Sequence, residues 1–585
     1  MQVLDLSEYP AEMINRKDLP VAIDTETAGT NYVPYYFSWA AKDLGAGGGP
    51  FLSPKGGPFI KKLAESSRPK IFHNCKFDIR VLAQLGIEVK GEIHDTSLMH
   101  ALLDEHHIEA HRLKALAREI LGRPRLDEYE LHEEQRKYPK EEMNLHVPQT
   151  LLHKYAVADA QDTLDLFYVF KPQLIEEGLW DLYRDEVAAA LVYLEIEDRG
   201  VLVDMNALDS AWKEIIHAQN IIQAKVWELF GQEFKLSSPR QVGEVMGRIF
   251  ALTERTPTGQ WRVSKQVLEK YIDDPRVQYY FAWKFLDAAR AKLENYARCM
   301  HEDGRLHPSY RQTTTTGRTA CSEPNLQNIP KQRGRITEVE VGDPELAKMC
   351  REAFRSTRRV FVAPEGATLY SFDYSQIEYR VAVHYTGSKR LIEALRRGED
   401  VHSMICQLVF GKVDPRTRHI TKMINYGCLY GMGMGTLKQK VLQGEPGVDA
   451  EYTMRLYRQK SPELLQLQRE ATLVAQRRGY VKDVFGRKYR YDPDRPYAMV
   501  AWLCQGTAAN IKKYAIRRVH EILKGRRSGI IMDIHDEIVL EVYPEDEHLL
   551  PKIKEAMEDF PQFSVPITVD AAKGPNLLDM EGVEL

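Results

Sequence analysis

Residues 370–380 read Tyr-Ser-Phe-Asp-Tyr-Ser-Gln-Ile-Glu-Tyr-Arg, and residues 529–542 read Gly-Ile-Ile-Met-Asp-Ile-His-Asp-Glu-Ile-Val-Leu-Glu-Val. The first is an apolar strand ending on an acid; the second is a hairpin that turns at His535-Asp536-Glu537. A carboxylate at the end of a hydrophobic strand is costly to bury unless it is paired or binds a metal. Asp373 and Asp536 together suit two hard divalent cations held through oxygen, which points to metal-assisted phosphoryl chemistry. Between them lies Arg418-x3-Lys422-x3-Tyr426-Gly427-x2-Tyr430-Gly431. Its four-residue steps stack two cations and two aromatics along one slowly drifting helix face, which fits a polyphosphate and a flat base.

At 585 residues, with 43% apolar content, the chain is long enough for roughly four domains with globular cores. No stretch approaches the ~20 apolar residues of a membrane span, and the N-terminus lacks a basic-then-apolar leader, so a cytoplasmic or nucleoid setting with no membrane partner is expected. The seven cysteines are scattered without a Cys-x2-Cys pair, which predicts reduced thiols and no structural zinc. A net charge of −4 excludes a uniformly basic coat. Local clusters are dense enough to track a phosphate backbone: Lys331, Arg333 and Arg335; Arg351, Arg355, Arg358 and Arg359; Lys512, Lys513, Arg517 and Arg518; Lys524, Arg526 and Arg527.

The first ~175 residues alternate strands and helices, as in an α/β domain; 176–303 read as a mostly helical arm, and 401–478 are again helical. Residues 331–350 are charged and poorly periodic, consistent with a surface insertion whose role is open. In Asp24-Thr25-Glu26-Thr27 the two acids project from one face of a strand. His73-Asn74-Cys75-Lys76-Phe77-Asp78 adds a third carboxylate, and Tyr155 with Asp159 adds a phenol and a fourth one helical turn apart. Four acids and a phenol make a two-metal hydrolytic site.

This quartet resembles the DnaQ-like (DEDD) 3′→5′ exonucleases of the variant with Tyr four residues before the last Asp. The resemblance implies that Asp24, Glu26, Asp78 and Asp159 bind two metal ions and that Tyr155 orients the attacking water; Asp162 falls outside the pattern. From about 185 onward the chain is similar to the polymerase portion of family A DNA polymerases. The match rests on Thr316-Gly317-Arg318, on Pro324-Asn325-Leu326-Gln327-Asn328-Ile329-Pro330, on Asp373 to Glu378, on Arg418 to Gly431, on Gln505-Gly506-Thr507-Ala508-Ala509 and on His535-Asp536-Glu537.

The resemblance implies an α/β, RNase H-like exonuclease domain (1–175) followed by an α+β polymerase domain of right-hand architecture. In it 176–303 form thumb and connecting helices, 304–400 and 501–585 the palm, and 401–500 the fingers. Asp373 and Asp536, with the Tyr374 carbonyl, would hold two Mg²⁺, with Mn²⁺ as a substitute, and Glu537 would support them. Arg418, His419 and Lys422 would grip a dNTP triphosphate, with Lys422 also placed to protonate pyrophosphate. Tyr426 would pack on the nucleotide, Tyr430 would stack at the template, and Gln376 and His402 would add nucleotide contacts. Glu378 would exclude a 2′-hydroxyl. Arg318, Asn325, Gln327, Gln505 and His535 would contact primer-template DNA.

Gly427, Gly431 and Gly433 predict a bend at the end of the 418–431 helix, which would swing over a paired nucleotide. Tyr497 and Ala501 stand where close relatives place DNA-contacting Arg and Asn; Arg490 or Arg495 are candidates to compensate. Asn510 replaces the family's Asp. Nothing upstream corresponds to a 5′ nuclease domain, and this compact form is common among bacteriophage replicative polymerases, so a phage type is expected. Replisome factors such as a helicase, a single-strand-binding protein or a clamp are left open. The rival readings are a nuclease that only binds primer-template, a non-catalytic scaffold and a single-subunit RNA polymerase.

Overall fold

The computed structural model describes residues 16–29, 33–329, 342–442 and 447–585. In the N-terminal module β1 (Val21–Thr27), β2 (Pro34–Ala41), β3 (Gly45–Pro50), β4 (Lys70–Phe72) and β5 (Ile93–Asp95) form one sheet in the order β3-β2-β1-β4-β5. β1 runs antiparallel to β2 and parallel to β4. Along β1, Val21, Ala22, Ile23, Thr25 and Thr27 are buried, whereas Asp24 and Glu26 are half-buried on the opposite face of the pleat from Thr25. The helix Gln149–Glu176 packs on β1, β2 and β3, and the Ser38 hydroxyl donates to the Ala156 carbonyl at 2.7 Å. The inner face of that helix, with Tyr155 and Asp159 buried, therefore looks onto the acids of β1.

A second sheet is built around β6 (Thr368–Tyr374), which lies between β8 (Glu537–Val542) and β9 (Val569–Gly574), with β7 (Gly529–Ile534) and β10 (Glu581–Val583) at the edges. Every pairing is antiparallel. The hairpin read from residues 529–542 is present as β7 and β8, and its register sets Asp373 opposite Glu537. β7 is an edge strand, yet it is buried along its whole length, packed by the helices Trp180–Arg199 and Met499–Leu523. That cover protects an edge that would otherwise pair with another chain.

Each sheet has its own apolar core, and the helix Trp180–Arg199 serves both. Leu182, Tyr183, Val187 and Ala190 join the first core. Ala189, Val192, Tyr193 and Ile196 join the second. Ion pairs reinforce the junction: Glu186 accepts from Lys513 at 2.5 and 2.8 Å and pairs with Arg487, while Arg490 bonds Glu105 and Glu177, each at 2.7 Å. Burial opposes the Glu186 charge, but Lys513 and Arg487 outweigh it and hold the carboxyl below its ordinary range.

These pairs correct part of the sequence reading. Lys512 and Lys513 are buried, Arg517 pairs with Asp185 at 2.5 Å, and Arg518 donates to the carbonyl of Asp559 at 2.7 Å. This cluster ties elements together and does not offer a cationic stripe. Arg358 is likewise buried and donates to the Leu577 carbonyl. Arg490 is spent on the junction and is no substitute for a lost DNA contact. Charge density along a sequence does not distinguish an exposed stripe from interior pairs. In the segment expected to be an aperiodic insertion, Asp343 caps the helix Pro344–Arg355, which buries Ala347, Cys350 and Ala353; residues 331–341, with Lys331, Arg333 and Arg335, lie outside the described residues.

Gly506 carries a packing prediction. A Cβ there would lie 1.9 Å from the Tyr489 hydroxyl, which is buried and donates to Asp483 at 3.0 Å. Gly506→Ala gains helix propensity of roughly 1 kcal/mol, but the clash cannot be absorbed by a ring pinned on both sides. A net loss of roughly 1–3 kcal/mol is expected, read as a lower thermal unfolding midpoint. An unchanged or raised midpoint would show that the helix and the 480–490 hairpin are not packed this closely.

Candidate functional site

In the N-terminal module the carboxylates of Asp24, Glu26 and Asp159 have ligand atoms within 4.8 Å of one another, the only such three-ligand group among the described residues. Asp24 Oδ2 is buried without a hydrogen-bond partner. An orphaned anionic oxygen among three converging carboxylates fits a hard cation. Asp78 stands apart from this group, because its Oδ1 accepts from both the amide and the hydroxyl of Thr25 at 2.8 Å. Of the expected quartet, three carboxylates converge, and Asp78 is held by Thr25 within electrostatic reach of Asp24 and Glu26.

Two cations that no sequence signal singles out face the trio. Lys114 pairs with Asp159 and sits 4.5 Å from the centre of the Tyr155 ring; Arg125 lies 2.6 Å from the other Asp159 oxygen and also pairs with Asp127 and Asp162. Burial works against the Lys114 charge, but Asp159 and its neighbours outweigh it and raise its pKa. Burial, with the Asp159 charge, raises that of Tyr155, so the phenol keeps its proton. Asp162 is held by Arg123 and Arg125 at 2.5 Å, a structural role as expected. A cavity of about 940 Å³ opens beside Tyr155 and Lys114 and is also lined by Arg311 and Gln312 of the second module.

Burial and the Asp159 charge push Glu26 up to about 7, against an ordinary 4.5. Below that value the folded, metal-free site retains a proton that a cation must displace. Metal titration by calorimetry in buffers of different ionisation enthalpy is expected to show proton release at pH 6, with the Glu26 share vanishing as pH rises through about 7. The sign for stability follows: metal-free protein loses stability as pH rises from about 4.5 to about 7, because only the unfolded chain ionises this group freely. Proton release that does not change between pH 6 and pH 8 would contradict this.

In the second module Asp373 is the penultimate residue of β6, and the turn at Asp536 opens β8. The Tyr374 amide donates to the Asp536 carbonyl at 3.1 Å, which joins the two strand ends. The helix Pro415–Leu429 is capped by Asp414. Burial, with the Asp536 charge adding to it, pushes the Tyr426 phenol up to about 12. Arg418, Lys422 and Tyr426 are half-buried, and His419 and Tyr430 are exposed. Arg418 pairs with Asp400 at 2.5 Å, Lys422 lies 5.7 Å from the Tyr426 ring centre, and the Tyr426 and Tyr430 rings are 6.1 Å apart. Glu378 is buried; one carboxylate oxygen accepts from Tyr430 OH at 3.0 Å and the other pairs with Arg318. Gln376, exposed and left-handed at φ 54°, occupies the N-cap position of the helix that carries Glu378, without a side-chain cap bond.

Several expected residues are placed differently. His402 is 1% exposed, bonded through Nδ1 to Asn425 at 2.8 Å and packed on Tyr379 and Tyr426, so it backs the Tyr426 ring and is not itself exposed. Glu537 turns its carboxylate to the Ser371 hydroxyl. Gln327 donates to Thr319 at 3.0 Å, a structural bond, while Asn325 and His535 are exposed and Gln505 is half-buried. The bend expected from the glycines at the end of the helix is the helix's own termination after Leu429. Gly431, at φ 79°, terminates it against the Tyr497 carbonyl, and a Cβ on Gly427 would lie 2.2 Å from the Leu437 side chain. Asp400 is a site neighbour that sequence reasoning missed, its N-cap position being the one available signal; Arg358, read from the sequence as part of a phosphate-tracking cluster, is instead buried within electrostatic reach of Glu537 and Asp373.

A model of the 3′-5′ exonuclease family matches residues 2–175, and that of DNA polymerase family A matches residues 205–579. DNA polymerase I of Rhizobium leguminosarum is 29% identical over 553 residues, covering 89% of this chain and 52% of its own length. The thermostable DNA polymerase I of Thermus filiformis is 32% identical over 438 residues, 71% of this chain and 50% of its own length. The chain spans about half the length of these curated relatives. A solved structure, the POL domain of Pol1 from M. smegmatis in complex with DNA primer-template and dNTP, matches with a TM-score of 0.81 at 24% identity, covering 99% of this chain and 98% of that one. The likeness extends over both modules. No helix among the described residues is long and apolar enough to cross a membrane.

Proposed function

This chain belongs to DNA polymerase family A and carries a 3′-5′ exonuclease domain, and on that premise we propose that it extends a DNA primer on a template from dNTPs and excises misincorporated 3′ ends. The observation that carries the reading is the junction at which the Tyr374 amide donates to the Asp536 carbonyl, so that the strand ends bearing Asp373 and Asp536 adjoin, with Tyr426 within electrostatic reach of Asp536. In this reading residues 1–175 are the exonuclease domain, 176–303 thumb and connecting helices, 304–400 and 501–585 palm, and 401–500 fingers. The relatives named above are bacterial, and nothing among them supports a phage source.

Asp373 and Asp536, with the Tyr374 carbonyl, would hold magnesium, or manganese in its place, in the extension site; Asp24, Glu26 and Asp159, with Asp78 within electrostatic reach, would do so in the excision site. When bound, the ions neutralise phosphate charge and acidify the attacking hydroxyl or water. The protein's own share is placement. Arg418, steadied by Asp400, and Lys422 bring fixed positive charge to the triphosphate, and Lys422 can pass a proton to the departing pyrophosphate. Tyr426, backed by His402, gives the nucleotide a flat wall. At the excision site Tyr155 keeps its hydroxyl proton and can orient a water, while Lys114 holds Asp159 in place.

Glu378 sets the sugar. Its carboxylate is fixed by Tyr430 and Arg318 at the mouth of the site, where a 2′-hydroxyl would clash or break one of those bonds. Glu378→Ala is expected to raise ribonucleotide insertion relative to deoxynucleotide insertion by roughly tenfold or more, the equivalent of one such polar conflict. Unaltered sugar discrimination in single-nucleotide insertion would remove Glu378 from this role. The reading as a whole is tested with primer-template and magnesium. Extension with dNTPs, little with rNTPs and shortening without nucleotides are expected; degradation alone under every condition would overturn it.

A further inference from the structure

We propose that Lys512 is a positioning residue for primer extension, holding the His535-Asp536 turn from beneath. The inference rests on the extension reading above. Lys512 lies seven residues after Gln505 on the helix Met499–Leu523, and its side chain is only 9% exposed. Its Nζ donates to the His535 carbonyl and lies 2.5 Å from Asp533 Oδ1. Asp533 is fully buried, and its other carboxylate oxygen accepts from Tyr193 OH and from Thr319 Oγ1, both at 2.8 Å. The Asp533 amide donates to Tyr310 OH at 3.1 Å.

This network gathers under one turn the helix Trp180–Arg199, the segment that follows Arg318 and the helix that bears Gln505. His535 is left-handed, at φ 50°, a conformation that a non-glycine residue keeps only where its surroundings fix it. The fixing is visible on both sides of the turn. Lys512 takes the carbonyl before Asp536, and the Tyr374 amide takes the carbonyl of Asp536 itself. A buried ion pair is a weak source of stability, since apolar residues of similar volume often serve as well. What an apolar pair would not supply is the donor to the His535 carbonyl, and so the direction of the Asp536 carboxylate.

Three variants separate positioning from stability: Lys512→Met, Lys512→Arg, and Lys512→Met combined with Asp533→Asn, which leaves no unpaired buried charge. Single-turnover incorporation is measured against dNTP concentration, together with thermal unfolding and excision of a single strand. For Lys512→Met the maximal rate is expected to fall about 10²-fold, as for a catalytic group misplaced by about 1 Å, with the half-saturating dNTP concentration changing less than about threefold. Excision stays as in the wild type. Arginine recovers part of the rate, and the double variant recovers the unfolding midpoint but not the rate. If the rate instead follows the midpoint, or if Lys512→Met incorporates at the wild-type rate, the inference is wrong while the extension reading stands. A wild type that does not extend overturns both.

Discussion

Asp536→Ala is expected to lower primer extension by on the order of 10³-fold or more, because losing one of two metal-facing carboxylates removes several kcal/mol of transition-state charge stabilisation. The loss should fall on the maximal rate, with primer-template affinity kept within a few fold, since Asp536 brings no positive charge to a phosphate backbone. Folding should survive. The turn is held through backbone groups, the Asp536 carbonyl by Tyr374 and the His535 carbonyl by Lys512, and not through the Asp536 side chain. A rapid-quench comparison with the wild type, alongside thermal unfolding, checks both halves. A variant that extends within tenfold of wild type would remove Asp536 from the reaction.

Asp24→Ala is expected to reduce 3′-end excision by a comparable factor, on the order of 10³-fold, and to leave single-nucleotide extension unchanged. Asp24 belongs to the one three-carboxylate group among the described residues, and its Oδ2 has no hydrogen-bond partner there. Removing it also relieves crowding. Burial and the Asp159, Glu26 and Asp78 charges raise the Asp24 pKa well above its ordinary value, so the metal-free variant should be no less stable than wild type at pH 8, where this crowding is felt most. Single-stranded DNA excision followed on a gel, with calorimetric metal titration of the same protein, reads both effects. Excision at the wild-type rate would mean that another set of residues does the cutting.

The two sheets and their acids were legible because each rests on local signals. The period-two placement of Asp24 and Glu26, the one-turn spacing of Tyr155 and Asp159, and the β7–β8 hairpin all follow from covalent geometry. What stayed hidden depends on how distant segments close on one another. Lys114 lies in an unremarkable short helix and becomes a site residue only because that helix packs beside Gln149–Glu176. The cations from Lys512 to Arg518 read as a phosphate track, and their acidic partners, Asp185, Glu186 and Asp533, lie far away or on another element. The resemblance implies a nucleotide contact for His402; its burial against Tyr426 comes from the packing of two helices that sequence spacing does not specify. Glycines 427 and 431 were legible as special, but their reasons, close approach of Leu437 and helix termination against Tyr497, needed the neighbours.

The most direct test of two opposed sites in one chain is a time course on a primer-template with a mismatched 3′ terminus, in magnesium and all four dNTPs. The wild type should first shorten the primer past the mismatch and then extend it to the end of the template. Asp536→Ala should shorten without extending, and Asp24→Ala should stall at the mismatch or extend it slowly without shortening. A wild type that only degrades the primer, or an Asp24→Ala variant that still removes the mismatch as fast as wild type, would contradict the account.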